Sequence, residues 1–168
     1  MKDTYFHCAP DSPWASRVSS TYVRRNGQLG KYWGPSQAQK VPYFRGSGGI
    51  YSTPRDYARF LAAWMDYGVV GELQLLPQKL VVAALTSNPM SLRAGEPRHY
   101  ARHWEVLGPP RTADAILETG LPIFGHSGSD GTVALASPEQ DLIVLYFTQS
   151  RRAQGWGEVM QPILGLFE

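Results

Sequence analysis

A chain of 168 residues with 43% apolar and 18% charged side chains, and no long charge run, is excluded from the disordered class and suits one domain with a real core. A formal charge of +2 does not argue for a nucleic-acid partner, and the one local basic cluster, Arg24-Arg25 near Lys31, reads as a solvated hairpin tip. Cys8 is the only cysteine, which rules out an internal disulfide, and the longest apolar runs are far too short for a membrane span.

Residues 1–45 are rich in breakers, with Pro10, Pro13, Gly27, Gly30, Gly34, Pro35 and Pro42. Within them, Thr21-Tyr22-Val23 and residues 29–33 flank Asn26-Gly27, a hairpin signal. No basic start followed by an apolar run opens the chain, so these residues are expected to carry no signal peptide, and the compartment stays open. Residues 53–67 carry the clearest helix. Thr53 can cap it, Pro54 suits its first turn and Asp56 is expected to complete a capping box. Tyr57, Phe60, Leu61 and Trp64 share one face, and Gly68 is a natural stop. A second helix is expected from Pro77, with Leu80, Val81, Ala84 and Leu85 inward, ended by Asn88-Pro89.

Residues 100–107 read as one strand closed by Gly108-Pro109-Pro110. Residues 123–127, 132–136 and 142–149 follow as three short runs joined by turns, which predicts an antiparallel meander. Residues 142–147 are almost wholly apolar, so burial on both faces is expected. Trp156, Val159, Met160, Ile163, Leu164 and Phe167 then recur at helical spacing, with Pro162 as a kink. The fold class is α+β: an antiparallel sheet with a packed C-terminal helix, plus a helical region, in a single domain over residues 1–168.

Four motifs bear on chemistry. Gly46-Ser47-Gly48-Gly49 lacks the Gly-Lys-Ser/Thr of a phosphate loop, and position 51 is tyrosine where a dinucleotide fingerprint needs glycine, so it reads as a tight turn. No cofactor is implied. His99 and His103 are four apart, but the segment reads as a strand and there is no HExxH, so no metal is expected. His7-Cys8 has no partner spacing. Gly125-His126-Ser127-Gly128 fails as a nucleophile elbow because position 129 is serine, where Gly-x-Ser-x-Gly needs glycine. His126 still stands among small residues at a strand end. There an imidazole can meet a ligand and move a proton near neutral pH, or be a satisfied structural histidine.

Several segments, in order, resemble the serine β-lactamase, penicillin-binding protein and related esterase family in its class C branch. Met1-Lys2-Asp3-Thr4-Tyr5-Phe6 is similar to the segment that follows a Leu-Gly in these proteins. Gly46-Ser47-Gly48-Gly49-Ile50-Tyr51-Ser52-Thr53-Pro54-Arg55-Asp56-Tyr57-Ala58-Arg59-Phe60 resembles their glycine turn and following helix, and Leu75-Leu76-Pro77 the start of the next. Phe124-Gly125-His126-Ser127-Gly128, with Asp130-Gly131-Thr132 and Ser137-Pro138-Glu139, resembles their third-motif strand and the hairpin after it. Tyr100-Ala101-Arg102-His103-Trp104-Glu105-Val106 resembles their Tyr-Gly-x-Gly-Trp segment with both glycines replaced.

The resemblance implies an acyl-transferring serine hydrolase acting on an ester or amide of a small-molecule or peptide-like substrate. It implies catalytic roles for His126 and for Ser129, whose backbone N–H would be an oxyanion donor, and substrate contacts for Ser127, Gly128 and Asp130. Many β-lactamases carry lysine at the place of His126. Histidine, with an ordinary pKa of about 6.5, is a poorer permanent anchor for a carboxylate, which leans towards an esterase or peptidase-like parent. Yet no serine here has lysine three residues on, Ser36 and Lys40 are four apart, and no tyrosine begins Tyr-x-Asn or Tyr-x-Ser. In the family both motifs precede the segment matched by Met1, so the chain reads as the back half of such a hydrolase, truncated or evolved as a remnant, and inactive alone. A missing N-terminal half or a homo-oligomer is the expected partner. Family members are often exported. A non-catalytic binding or oligomerising module is the alternative. An independent enzyme pairing His126 with Ser127 or Ser129 is disfavoured, because neighbours on a strand point to opposite faces.

Overall fold

The computed structural model describes residues 1–6, 8–37, 48–96 and 98–151, with Pro162 and Gly165. The expected terminal helix, with Trp156, Val159, Met160, Ile163, Leu164 and Phe167, lies outside the described residues, as do His7, Gly46 and Ser47.

The first hairpin forms as its turn chemistry dictates. Strands β1 (Thr21–Arg25) and β2 (Gln28–Trp33) pair antiparallel with Arg25 opposite Gln28. Asn26 and Gly27 between them have φ of 50° and 80°, the two left-handed residues that a tight hairpin turn needs. Thr21 and Val23 point inward, whereas β2 is exposed along nearly its whole length.

Helix α1 (Pro54–Met65) starts at Thr53, whose hydroxyl accepts the N–H of Asp56 at 3.2 Å. Asp56 does not close the expected capping box. Its carboxylate, on a residue only 1% exposed, accepts the backbone N–H of Asp3 at 2.7 Å and the Thr4 hydroxyl at 3.1 Å, and pairs with Arg59 at 2.9 Å. Leu61 is fully buried, with Tyr57, Phe60 and Trp64 packed around the same core. The helix stops where Gly68 donates to the Ala63 carbonyl at 2.7 Å. A small hairpin that the sequence pattern did not announce, β3 (Val69–Val70) with β4 (Leu73–Gln74), follows.

Helix α2 (Gln78–Leu85) buries Val81, Val82, Ala84 and Leu85. Leu80, expected inward, is 52% exposed. The buried arc centres on Val81 and Leu85, roughly a third of a turn away at about 100° per residue. The single strand expected at 100–107 is instead a hairpin, β5 (Arg98–Tyr100) and β6 (Glu105–Leu107), with Tyr100 opposite Glu105. The chain turns at 101–104, where Ala101 donates to the Trp104 carbonyl at 2.9 Å and both residues are buried. Helix α3 (Ala113–Thr119), also unannounced, is capped by the Thr112 hydroxyl and buries Ile116.

The meander expected from the C-terminal runs is present. Strands β7 (Ile123–Ser127), β8 (Thr132–Ser137) and β9 (Leu142–Phe147) complete an antiparallel sheet in the order β5-β6-β7-β8-β9. Every residue of β9 is half-buried, with Ile143, Leu145 and Phe147 packed against the main core and Val144 and Tyr146 against the cluster on the other face, so both faces are covered in part. Strand β10 (Ser150–Arg151) runs parallel to β1, giving a second sheet in the order β10-β1-β2.

The main core lies between the helices and one sheet face. It joins Leu61, Val81, Leu85 and Ile116 to Trp104, Val106, Phe124, Ala134 and Ala136. Each large side chain buried there is worth roughly 1.5–3 kcal/mol. A smaller cluster around Val133 and Leu135 occupies the other face. The molecule is thus α+β, as expected. Gly125 is dictated by close approach: a methyl group there would strike the Ala134 carbonyl oxygen of the neighbouring strand.

Candidate active-site cleft

Strand β7 delivers His126 to an exposed position opposite Ala134 of β8. The chain then turns tightly. Gly128 donates to the Thr132 carbonyl at 2.7 Å, and its own carbonyl accepts the Gly131 N–H at 3.1 Å. Ser129 and Asp130 are therefore the two central residues of a four-residue turn.

Beside this turn lies a cleft of about 840 Å³. His126, Ser127, Gly128 and Asp130 line one side of it. The other side comes from the N-terminal segment and residues 48–53. Tyr5 and Tyr51 join these two segments by a reciprocal pair of backbone hydrogen bonds, both 2.8 Å. Aromatic rings stiffen that wall: Tyr5 stacks on Trp14 at 4.1 Å, and Trp33 lies 6.1 Å from Tyr51.

The His126 ring is not satisfied inside a core. Its Nδ1 lies 2.6 Å from the Ser127 carbonyl oxygen. A carbonyl only accepts, so Nδ1 is the protonated nitrogen and Nε2 is left as the acceptor of the neutral ring. The Tyr100 ring stands 5.8 Å from it. The contact with Ser127 runs through the backbone carbonyl. No hydrogen bond joins the imidazole to a Ser127 or Ser129 hydroxyl among the described residues, so no Ser–His nucleophile pair is assembled there.

Ser129 is not among the residues that line the cleft. Its hydroxyl donates to Asp130 at 3.4 Å. As the second residue of the turn, it has a backbone N–H that the turn's own hydrogen bonds leave unused. Asp130 lines the cleft, but its carboxylate is engaged: Arg151 donates to it at 3.0 Å and the Thr21 hydroxyl at 3.4 Å. It ties the β7–β8 turn to the second sheet. Arg151 also lies 4.4 Å over the Tyr32 ring.

The other histidine pair stays apart in role. His99 is 3% exposed, with its Nε2 2.7 Å from the Ser87 hydroxyl, which also accepts the Arg111 N–H at 2.8 Å. Burial pushes its imidazole below the ordinary range. His103 is exposed in the turn between β5 and β6. No group of three His, Cys, Asp or Glu side chains able to hold a metal occurs among the described residues. Cys8 is buried, and that burial pushes its thiol up.

Sequence reasoning missed the aromatic wall and the Tyr100–Glu105 contact. The aromatic content of 12% was visible, but the loop-rich N-terminal region has no period from which a facing wall could be read.

Comparison with known proteins bears on this geometry. The family model described as Beta-lactamase matches residues 1–158. Protein Rv1367c and Uncharacterized protein MT1414, from two strains of Mycobacterium tuberculosis, are each 28% identical over 165 residues, covering 89% of this chain. The chain spans 40% of the length of these relatives. Among solved structures, EstCE1, a hydrolase with promiscuous acyltransferase activity, aligns over 92% of this chain and 44% of its own, with a TM-score of 0.67 and 14% identity. A mutant of simvastatin synthase (LovD) from Aspergillus terreus aligns over 89% of this chain and 41% of its own, with a TM-score of 0.63 and 16% identity. The two structural likenesses are likenesses of fold.

Proposed function

The chain belongs to the beta-lactamase family, and we propose that it forms one side of the acyl-transfer cleft of a serine hydrolase of the class C-like or esterase branch. The substrate class is an ester or amide of a small molecule or peptide-like compound. The observation that carries this reading is the exposed His126 at the end of β7, beside a cleft of about 840 Å³, with Nδ1 held by the Ser127 carbonyl and Nε2 free of a hydrogen bond among the described residues.

In this reading an attacking serine turns the substrate carbonyl into a tetrahedral oxyanion. The Ser129 N–H, unused in the turn at the cleft's edge, is the proposed donor to that oxygen once the completed site extends over the turn, and one such donor is worth roughly 10²–10³ in rate. Ser127, Gly128 and Asp130 flank the bound acyl compound, and His126 offers a proton acceptor at Nε2. The 168 residues contain neither Ser-x-x-Lys nor Tyr-x-Asn, so on their own they carry no turnover. A segment holding both motifs supplies the nucleophile. Labelling with a fluorophosphonate tests this: the chain alone stays unlabelled, and a fusion to such a segment is labelled on the added serine. Labelling of Ser127 or Ser129 in the chain alone would contradict it.

A second reading is a non-catalytic binding or oligomerising module. It draws on β2, whose residues are exposed and whose outer edge pairs with no strand among the described residues. Self-association in sedimentation at micromolar concentration supports the oligomerising form of this reading.

A further inference from the structure

Glu105 is a buried carboxylate that the proposed chemistry does not use. It is 4% exposed, and its Oε1 accepts the Tyr100 hydroxyl at 2.9 Å. Oε2 is buried without a hydrogen bond among the described residues and is faced by the Arg98 guanidinium at 3.6 Å. A buried carboxylate with one ordinary hydrogen bond and one long ion pair is a costly way to hold a hairpin together. Tyr100, in contrast, is 45% exposed and turns its ring to His126, with centroids 5.8 Å apart and planes inclined by 57°.

The register places the three residues on adjacent strands. Tyr100 lies opposite Glu105, and Glu105 lies opposite Gly125, the residue before His126. The imidazole is held from its own strand by the Ser127 carbonyl, with Nδ1 at 2.6 Å.

We propose that Tyr100 is a positioning residue for His126. Its ring seats the imidazole at the cleft edge, and Glu105 anchors the phenol that carries the ring. The proposal rests on the reading of His126 as a functional cleft residue, and it concerns orientation rather than contact with substrate. A tilted aromatic pair restrains a neighbouring ring, and a hydrogen bond to a buried carboxylate restrains the restraining group. Burial, and then the Glu105 hydrogen bond and charge, push the Tyr100 phenol up, so it remains a donor across the neutral range.

The test uses NMR of the 168-residue chain and needs no turnover. Nuclear Overhauser contacts between the Tyr100 and His126 ring protons are expected, with the His126 ring protons displaced by the tyrosine ring current. Tyr100→Leu should abolish that displacement. Tyr100→Phe should keep part of it and broaden the His126 signals, whereas Glu105→Gln, whose amide oxygen still accepts the Tyr100 hydroxyl, should leave them as in the wild type. In a fusion carrying the nucleophile motifs, Tyr100→Phe should lower kcat for p-nitrophenyl acetate about three- to tenfold with KM unchanged, the size of one lost hydrogen bond. His126 ring protons unmoved in Tyr100→Leu overturn the proposal, as does Tyr100→Phe with wild-type kcat. An active fusion indifferent to His126→Ala would instead defeat the functional reading, whatever the NMR result.

Discussion

The carboxylate of Asp56, in the first turn of α1, accepts the backbone N–H of Asp3 at 2.7 Å. This bond fixes the N-terminal segment, and with it the Tyr5 wall of the cleft, to the helix. Burial works against the ionised form of Asp56. The hydrogen bonds from Asp3 and Thr4, with the Arg59 guanidinium, nevertheless hold its carboxyl below the usual range. A carboxyl lowered in the folded state contributes stability that is present above its unfolded pKa of about 3.9 and lost as pH falls through the folded value. Asp56→Asn should therefore flatten the acid limb of a stability–pH curve below about pH 4, and Asp56→Ala should lower Tm at pH 7 by several degrees. Thermal melts followed by circular dichroism measure both.

His99 acts in a different window. Its imidazole is lowered by burial, so folding favours the neutral ring. That contribution is complete above the unfolded pKa of about 6.5 and declines as pH falls towards the folded value. Urea midpoints should drop between about pH 7 and pH 5 in the wild type. His99→Gln should remove that slope while leaving the acid limb of Asp56 in place.

Close packing behind β7 gives two further expectations. Phe124 is fully buried against Trp104, with ring centroids 5.1 Å apart. Phe124→Ala should cost about 3–5 kcal/mol in denaturant unfolding. Gly125→Ala should cost about 1–3 kcal/mol, because the added methyl meets the Ala134 carbonyl oxygen rather than a side chain that can swing away.

The purified 168-residue chain should hydrolyse neither nitrocefin nor short p-nitrophenyl esters above background. Steady-state assays at high protein concentration check this. Turnover that vanishes in Ser127→Ala or Ser129→Ala, in protein that remains folded, would assign a nucleophile to this chain after all.

Local rules made much of the fold legible. Asn26-Gly27 demanded its hairpin, Thr53-Pro54 its helix start, and the short runs and turns at 123–149 their meander, because each depends on neighbours in sequence. What depended on distant neighbours was not legible. Asp56 left its expected capping bond for Asp3, Leu80 fell outside the buried arc, and Ala101 and Trp104 bent a predicted strand into a hairpin to fill the core. At the cleft, His126, Ser127, Gly128 and Asp130 were visible as a motif. The engagement of Asp130 by Arg151 and the Tyr100–Glu105 contact were not, since the partners lie on strands with no sequence pattern to announce the pairing.

The account rests on β7 as a wall of an acyl-transfer site, and one measurement bears on it most directly. The chain is fused to, or mixed with, an N-terminal segment carrying Ser-x-x-Lys and Tyr-x-Asn, and hydrolysis of p-nitrophenyl acetate is followed with and without His126→Ala. The account predicts that activity appears on reconstitution and falls roughly 10²–10⁴-fold in His126→Ala, the contribution typical of a positioned proton acceptor, with the fold unchanged. A folded, active reconstituted protein that is indifferent to His126→Ala would contradict it.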